Sequence, residues 1–221
     1  LSFLVYAEWP NIPASAFPEQ SGKFGPEPDG LWFRAVGESE GKMCVLDVFS
    51  DRLAFRRYRD RAMANRAVKQ HLSRSYGIDG PSFAVRESTT AFYPGAHAEF
   101  VRSRWHALPD PGTIAIFAWP SIRVDDYVGV MRKRKGILGC PSHEALLSAV
   151  DGPLGDAGWL VAHAWRSEAA RLEHVAETRE WSAKYIEGGP LWKRTVPLLY
   201  VYYGESCPHA LLNPLSTDGI A

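Results

Sequence analysis

No stretch of this 221-residue chain approaches the roughly 18–20 uninterrupted apolar residues that cross a bilayer as a helix. No signal-peptide pattern opens it. An excess of one charge is also missing, since 25 Lys and Arg balance 25 Asp and Glu. A dedicated nucleic-acid binder carries a basic excess, so neither nucleic acid nor membrane is an expected partner. Cysteine is scarce. Cys44, Cys140 and Cys207 are odd in number and lack CxxC spacing, so they form neither a disulfide framework nor a zinc site. That usage points to a reducing, cytoplasmic compartment. HxH, HExxH, GxGxxG and Walker patterns are absent too, so no metal and no Rossmann or P-loop nucleotide site is expected.

Aromatic residues are abundant. Eight Trp, nine Tyr and ten Phe stand in a chain that is 46% hydrophobic, which excludes disorder. So many large rings need either a core or a flat ligand.

The chain repeats itself. The stretch from Phe3 to Trp9-Pro10 and Ile12 matches Ile114 to Trp119-Pro120 and Ile122. Gly41 to Ser50-Asp51 matches Gly158 to Ser167-Glu168, and Pro81 to Gly95 matches Pro190 to Gly204. The offsets are 110, 117 and 109, so the length differences fall between elements, where loops absorb them.

Each copy reads as strand, helix, strand, strand, helix, strand. In the first, Leu1–Glu8 is a strand, and Pro13 and Pro18 keep the next helix short. Gly30–Val36 and Lys42–Phe49 form a hairpin, Ser50-Asp51 caps a long helix to about Leu72, and Pro81–Tyr93 closes the unit. In the second, Thr113–Trp119 is a strand. A helix follows, with Asp125 and Asp126 in its first turn and Arg132–Lys135 in its last, as the macrodipole favours. Leu146–Val150 and Trp159–Trp165 pair, Ser167 caps a helix to about Ile186, and Leu191–Tyr203 ends the unit.

The order βαββαβ twice makes an α+β protein of two tandem ferredoxin-like units. Each four-stranded sheet leaves one face bare, and two such sheets can bury each other's bare faces, giving one intramolecular barrel. The expected division is 1–95 for the first unit, 96–111 for a linker with a short helix, 112–204 for the second unit, and 205–221 for a tail.

The stretch from Gly158 through Trp165, Ser167, Ala170 and His174 to Thr178 resembles the antibiotic-biosynthesis monooxygenase type of dimeric α/β barrel. The family pattern is an apolar strand ending in Trp, then Ser-x-x-Ala, a helical His, and Thr or Ser. In the first copy Phe49 stands for the Trp, and Arg57 falls where His174 sits. The resemblance implies a pocket between each unit's helices and sheet, and oxidation of a flat phenolic polyketide, such as an anthrone or angucyclinone, by molecular oxygen. It implies either no cofactor or reduced flavin, the latter supplied by a flavin reductase. The superfamily also holds polyketide cyclases, lactone isomerases, haem-degrading enzymes and barrels without catalysis. No histidine here can be singled out as a haem ligand.

Residue spacing picks the candidates. On the second long helix, Leu172, Val175, Ser182 and Ile186 share one face, expected to pack on the sheet. His174, Thr178, Trp181 and Tyr185 form a stripe beside it, either core or pocket wall. His174 is there a base or hydrogen-bond donor, and Trp181 and Tyr185 a stacking surface. Trp159, Val161, His163 and Trp165 share one strand face, making His163 a core histidine or an acid–base catalyst. In the first copy Phe55, Tyr58, Ala62, Asn65 and Leu72 share the inner face of the helix. Asn65 bonds either a backbone carbonyl or a ligand oxygen. Tyr58, Trp105 and His71 are further candidates for a ligand wall, and Asp47 is expected to pair with Arg86 or Arg194. Two unequal pockets, or one, follow from the divergence of the copies. The chain is a monomer or homodimer.

Overall fold

The computed structural model describes residues 2–16, 28–89, 91–95, 103–120, 144–155, 158–184, 186 and 188–208. In chain order the elements are β1 (Ser2–Pro10), β2 (Leu31–Ser39), β3 (Lys42–Phe49), α1 (Arg52–Ala64), α2 (Arg66–Tyr76), β4 (Phe83–Thr89), β5 (Ala91–Tyr93), β6 (Trp105–Trp119), β7 (Leu146–Leu154), β8 (Gly158–Trp165), α3 (Glu168–Ser182) and β9 (Trp192–Tyr203). The helices expected after β1 and around 125–135 lie outside the described residues.

All strands join one nine-stranded sheet in the order β4-β1-β3-β2-β9-β6-β8-β7-β5. The first four repeat the ferredoxin-like order, and β9-β6-β8-β7 repeats it again. The bare sheets join at their edges as well. Phe33 to Val36 of β2 pair with Tyr203 to Tyr200 of β9, and β5 pairs with β7. Because β4 and β5 are consecutive in the chain but lie at opposite ends of the strand order, the sheet rolls into a nearly closed barrel. Gly37 sits where the β2–β9 register shifts, and a Cβ there would lie 2.1 Å from the Pro197 carbonyl oxygen. Only glycine permits that approach of one unit's backbone to the other's.

Alternation sorts the side chains. Leu4, Tyr6, Phe33, Leu46, Ile114, Ile116, Leu147, Leu160, Ala162, Ala164 and Tyr203 point inward and form one core drawn from both units. Residues of opposite parity face outward, and clusters there include Ala54 and Phe55 of α1 or Ala170 of α3. Strands such as β1 are buried on both faces, which is why they read as near-continuous apolar runs.

Three expectations change. The long helix of the first unit is broken at Asn65, which has extended backbone (φ −76°, ψ 98°) and caps both pieces. Its Oδ1 accepts from the backbone N–H groups of Ala67 and Val68 at 3.1 and 3.3 Å. Trp105 and His106 lie in β6, opposite Tyr202 and Val201 of β9, within the stretch read as a linker. Asp47 pairs with Arg34 of the neighbouring strand, while Arg194 binds Glu8 at 2.6 Å.

Candidate active site

The outward face of β8 presents Trp159, Val161, His163 and Trp165, as the alternation predicts, while Leu160, Ala162 and Ala164 fill the barrel. Strand pairing extends that face into rows. One row runs Tyr93, Ala149, His163, Ala115, Thr195 across β5, β7, β8, β6 and β9. The next runs Ala91, Asp151, Val161, Phe117, Lys193. Trp165 is fully buried against Tyr93, Leu146, Ala149 and Ala170.

Helix α3 lies over this face. Ser167 Oγ accepts from the Ala170 N–H at 3.2 Å, capping its first turn. Two turns on, the His174 ring lies 4.9 Å from Trp165 and 5.7 Å, edge to face, from His163. Ala170 and Thr178, each 8% exposed, share that inner side one turn away in either direction. Leu172 and Val175, expected to pack on the sheet, are 53% and 40% exposed. The sheet takes the Ala170–His174–Thr178 stripe instead, because Trp165 and His163 offer rings for His174 to pack on. Thr178 donates its hydroxyl to the His174 carbonyl at 2.8 Å, so its proton is spent on its own helix and its oxygen is left as an acceptor.

Burial governs the electrostatics. His163 is pushed down to about 3 by desolvation, with His174 adding a smaller push. His174 is lowered to about 4 by desolvation, which Glu177 opposes. Both imidazoles are neutral near pH 7. Burial pushes Asp151 up to about 7 and raises the Tyr93 phenol. Two neutral imidazoles, an indole and a carboxyl titrating near neutrality thus lie on one side of the sheet. Asp151 and Tyr93 escaped the sequence reading. Alternation places Asp151 beside Ala149 in β7, but nothing local says which side of β7 the helices cover.

The first unit's equivalent face is different. Asp51 Oδ1 accepts from the Ala54 N–H at 2.8 Å, just as Ser167 does from Ala170, so the two caps superpose. Counting from the caps, Tyr58 corresponds to His174, and exposed Arg57 does not. Asp47 corresponds to His163, Arg34 to Ala149 and Val36 to Asp151. Here Arg34 donates Nε and Nη2 to the two Asp47 oxygens at 2.6 and 2.8 Å, both residues being buried. The Arg34 guanidinium lies 5.5 Å over the Tyr58 ring. Beside Arg34 in the row stand Tyr202 and Trp105, 5.5 Å apart.

The candidates therefore separate. His163, His174 and Thr178 meet on the second unit, whereas Tyr58, Trp105, Asn65 and His71 belong to the first. Asn65 serves as a helix cap and Tyr58 as packing on an ion pair. His71 sits on α2 with Nδ1 3.2 Å from Ser75 Oγ and its ring edge-on to Tyr76. Trp181 is in the last turn of α3, with its side chain outside the described residues, as is Tyr185. Among the described residues no three His, Cys, Asp or Glu side chains gather as metal ligands. No described helix is long and apolar enough to cross a membrane.

No family model and no curated protein sequence matches the chain. Solved structures do match. A protein of Fusobacterium nucleatum, provisionally named a monooxygenase, aligns over 92% of this chain and 94% of its own at TM-score 0.60 and 10% identity. One from Lactobacillus acidophilus, with the same provisional name, aligns over 92% and 97% at TM-score 0.57 and 10% identity. A third, provisionally named a chlorite dismutase, aligns over 89% and 93% at TM-score 0.51 and 11% identity. The fold is the dimeric α/β barrel. In this chain both halves of that barrel are one polypeptide, so the two helix-covered faces are free to differ, and they do.

Proposed function

We propose that the protein is a monooxygenase that oxidises a flat phenolic polycycle with molecular oxygen, at the second unit. The observation that carries this is the wall formed by Trp165, His163 and His174, with both imidazoles desolvated and neutral. A phenol or anthrone that loses a proton becomes electron-rich enough to pass one electron to oxygen. The protein's share is to lower the substrate's pKa, exclude water and hold the ring. Neutral imidazoles donate and accept hydrogen bonds to phenolic oxygens without placing a charge beside the nascent anion. The Thr178 oxygen adds an acceptor. The monooxygenase names of the structural neighbours agree with this chemistry.

The test is anaerobic incubation with 1,8-dihydroxyanthrone. Turnover should stop without oxygen and resume on its admission, with the quinone as product; turnover independent of oxygen sinks the reading. Flavin use is tested separately. A flavin phosphate calls for a cation, and Arg171 in the first turn of α3 is held by Glu168 at 2.8 Å. Tryptophan quenching by micromolar reduced flavin would support the flavin-dependent version and with it a flavin reductase as partner; no quenching would remove it.

A second reading, a polyketide cyclase or isomerase, is favoured by one observation. A carboxyl poised near pH 7 on the same wall suits acid–base chemistry without oxygen. Product mass separates the two, since only oxidation by oxygen adds an oxygen atom. A barrel that only binds its ligand would leave that ligand unchanged.

A further inference from the structure

We propose that the protein associates head to tail with further copies of itself, the basic helix face of one molecule's first unit docking on the acidic helix face of the next molecule's second unit.

Charge is segregated on the outside of the barrel. Across α1 and α2, from Arg52 to Tyr76, seven Arg and one Lys stand against a single acid, Asp60. All eight cations are exposed. Arg59 is held by Asp60 at 2.7 Å, and Arg57 is within electrostatic reach of the Asp51 cap. The chain as a whole is neutral, so its remainder carries the matching acidic excess. Helix α3 takes part of that excess, with four Glu against two Arg, of which Arg171 is bound to Glu168.

The reversal of charge runs position by position. Counting from the equivalent caps Asp51 and Ser167, the residues Leu53, Arg57 and Arg61 of α1 fall on Ala169, Glu173 and Glu177 of α3. Residues four apart line one side of a helix. The same stripe therefore carries two cations in one unit and two anions in the other. Laid together in either direction, the stripes bring Arg57 opposite Glu173 at their centre, and both of these are exposed.

Apolar side chains accompany the charges. Leu53, in the first turn of α1 and 59% exposed, projects among Arg52, Arg56 and Arg57. On α3 the exposed Leu172 and Val175 stand beside Ala169 and Ala176, whose small side chains leave room for a leucine. An apolar centre with a charged rim is the anatomy of a protein interface.

A phosphate-bearing partner fits this face less well. Arg is enriched and Lys depleted where proteins meet, and here Arg outnumbers Lys seven to one. Nucleic acid backbones are held by cations and hydrogen-bond donors, for which Leu53 has no use. The apolar side of α1, with Ala54 and Phe55, is packed on the sheet and is not available to enter a lipid surface.

The two faces cover opposite halves of the barrel. Each contact thus leaves one basic and one acidic face open, so association grows with concentration. Exposed ion pairs are individually weak and screened by salt, which sets a micromolar, salt-sensitive contact.

Sedimentation velocity of the whole protein tests this. The wild type should move from monomer to larger species between about 2 and 200 μM at roughly 50 mM salt, and association should weaken about 10-fold or more at roughly 500 mM. Arg57→Glu with Arg61→Glu makes both helix faces acidic, and Glu173→Arg with Glu180→Arg makes both basic. Each of these proteins alone should stay monomeric, and their equimolar mixture should associate as the wild type does. A wild type that is monomeric throughout overturns the proposal, whether or not that monomer binds a DNA duplex or anionic phosphatidylserine vesicles. Reversed proteins that associate alone, or a mixture that does not associate, overturn it as well. Should either reversed protein not fold, Arg57→Gln with Arg61→Gln decides: weaker association with a shallower salt dependence supports the contact, and association unchanged from the wild type overturns it.

Discussion

Asp47 and His163 hold the same position in the two halves of the barrel, four residues before the helix cap, and they have opposite neighbours. Asp47 lies 2.6 Å from the Arg34 guanidinium, whereas His163 meets the ring of His174. The first pairing fills its site with two compensated charges. The second sets two neutral imidazole rings against an indole.

The Arg34–Asp47 pair sets the first stability prediction. Arg34→Leu strands a buried carboxylate and should destabilise the protein by about 3–5 kcal/mol, whereas Arg34→Leu with Asp47→Leu should recover most of that or exceed the wild type. Urea unfolding of the three proteins checks it. A double variant no more stable than the single one would show that the charge pair holds the β2–β3 register in a way apolar residues cannot.

Stability should depend on pH in two opposed ways. The folded-state values of His163 and His174 lie below the ordinary 6.5, so the unfolded chain binds more protons as pH falls from about 6.5 toward 4. Stability is lost over that window, at up to about 1.4 kcal/mol per pH unit for each proton. Asp151 is raised, so between about 4 and 7 the folded state holds the extra proton, and Asp151 loses the protein stability as pH rises. Asp151→Asn should therefore gain stability relative to the wild type at pH 8, and His163→Gln should flatten the acid limb. Denaturation midpoints from pH 4 to 8 measure both. A wild-type acid limb that survives unaltered in His163→Gln refutes the buried neutral imidazole.

Asn65 separates capping from catalysis. Losing the Oδ1 bonds to Ala67 and Val68 should cost about 1 kcal/mol in Asn65→Ala, with Asn65→Asp, a good N-cap, recovering much of it. Turnover per folded molecule should not change in either. A large fall in kcat for Asn65→Ala would return this residue to the site.

Trp165 carries an unusual donor. Its ring is fully buried, and Nε1–H has no hydrogen-bond partner among the described residues. Leaving such a donor unsatisfied costs about 1–3 kcal/mol, which offsets the ring area lost in Trp165→Phe. The ligand-free variant should therefore unfold within about 1 kcal/mol of the wild type, while its affinity for a phenolic probe drops about 10-fold. Equal affinity, read by calorimetry, would make Trp165 purely a packing residue.

Much of this protein is written locally. The repeat declares itself in matched stretches such as Trp9-Pro10 and Trp119-Pro120, and period-two alternation alone puts His163 and Trp165 on one side of β8. Ser167 and Asp51 announce their helices because a cap bonds residues three positions away. Tertiary structure decided the remainder. The broken helix at Asn65 has no glycine or proline to signal it. Leu172 and Val175 are as apolar as a core stripe, yet α3 turns Ala170, His174 and Thr178 inward, because the rings of β8 select which face docks. Asp151 comes beside the row of His163 only when β5, β7 and β8 pair across positions 91, 151 and 161. Burial and charge compensation depend on neighbours distant in the chain, so the sequence alone determined the two units and their strands, and the nearly closed sheet determined that one unit covers an ion pair and the other two neutral imidazoles.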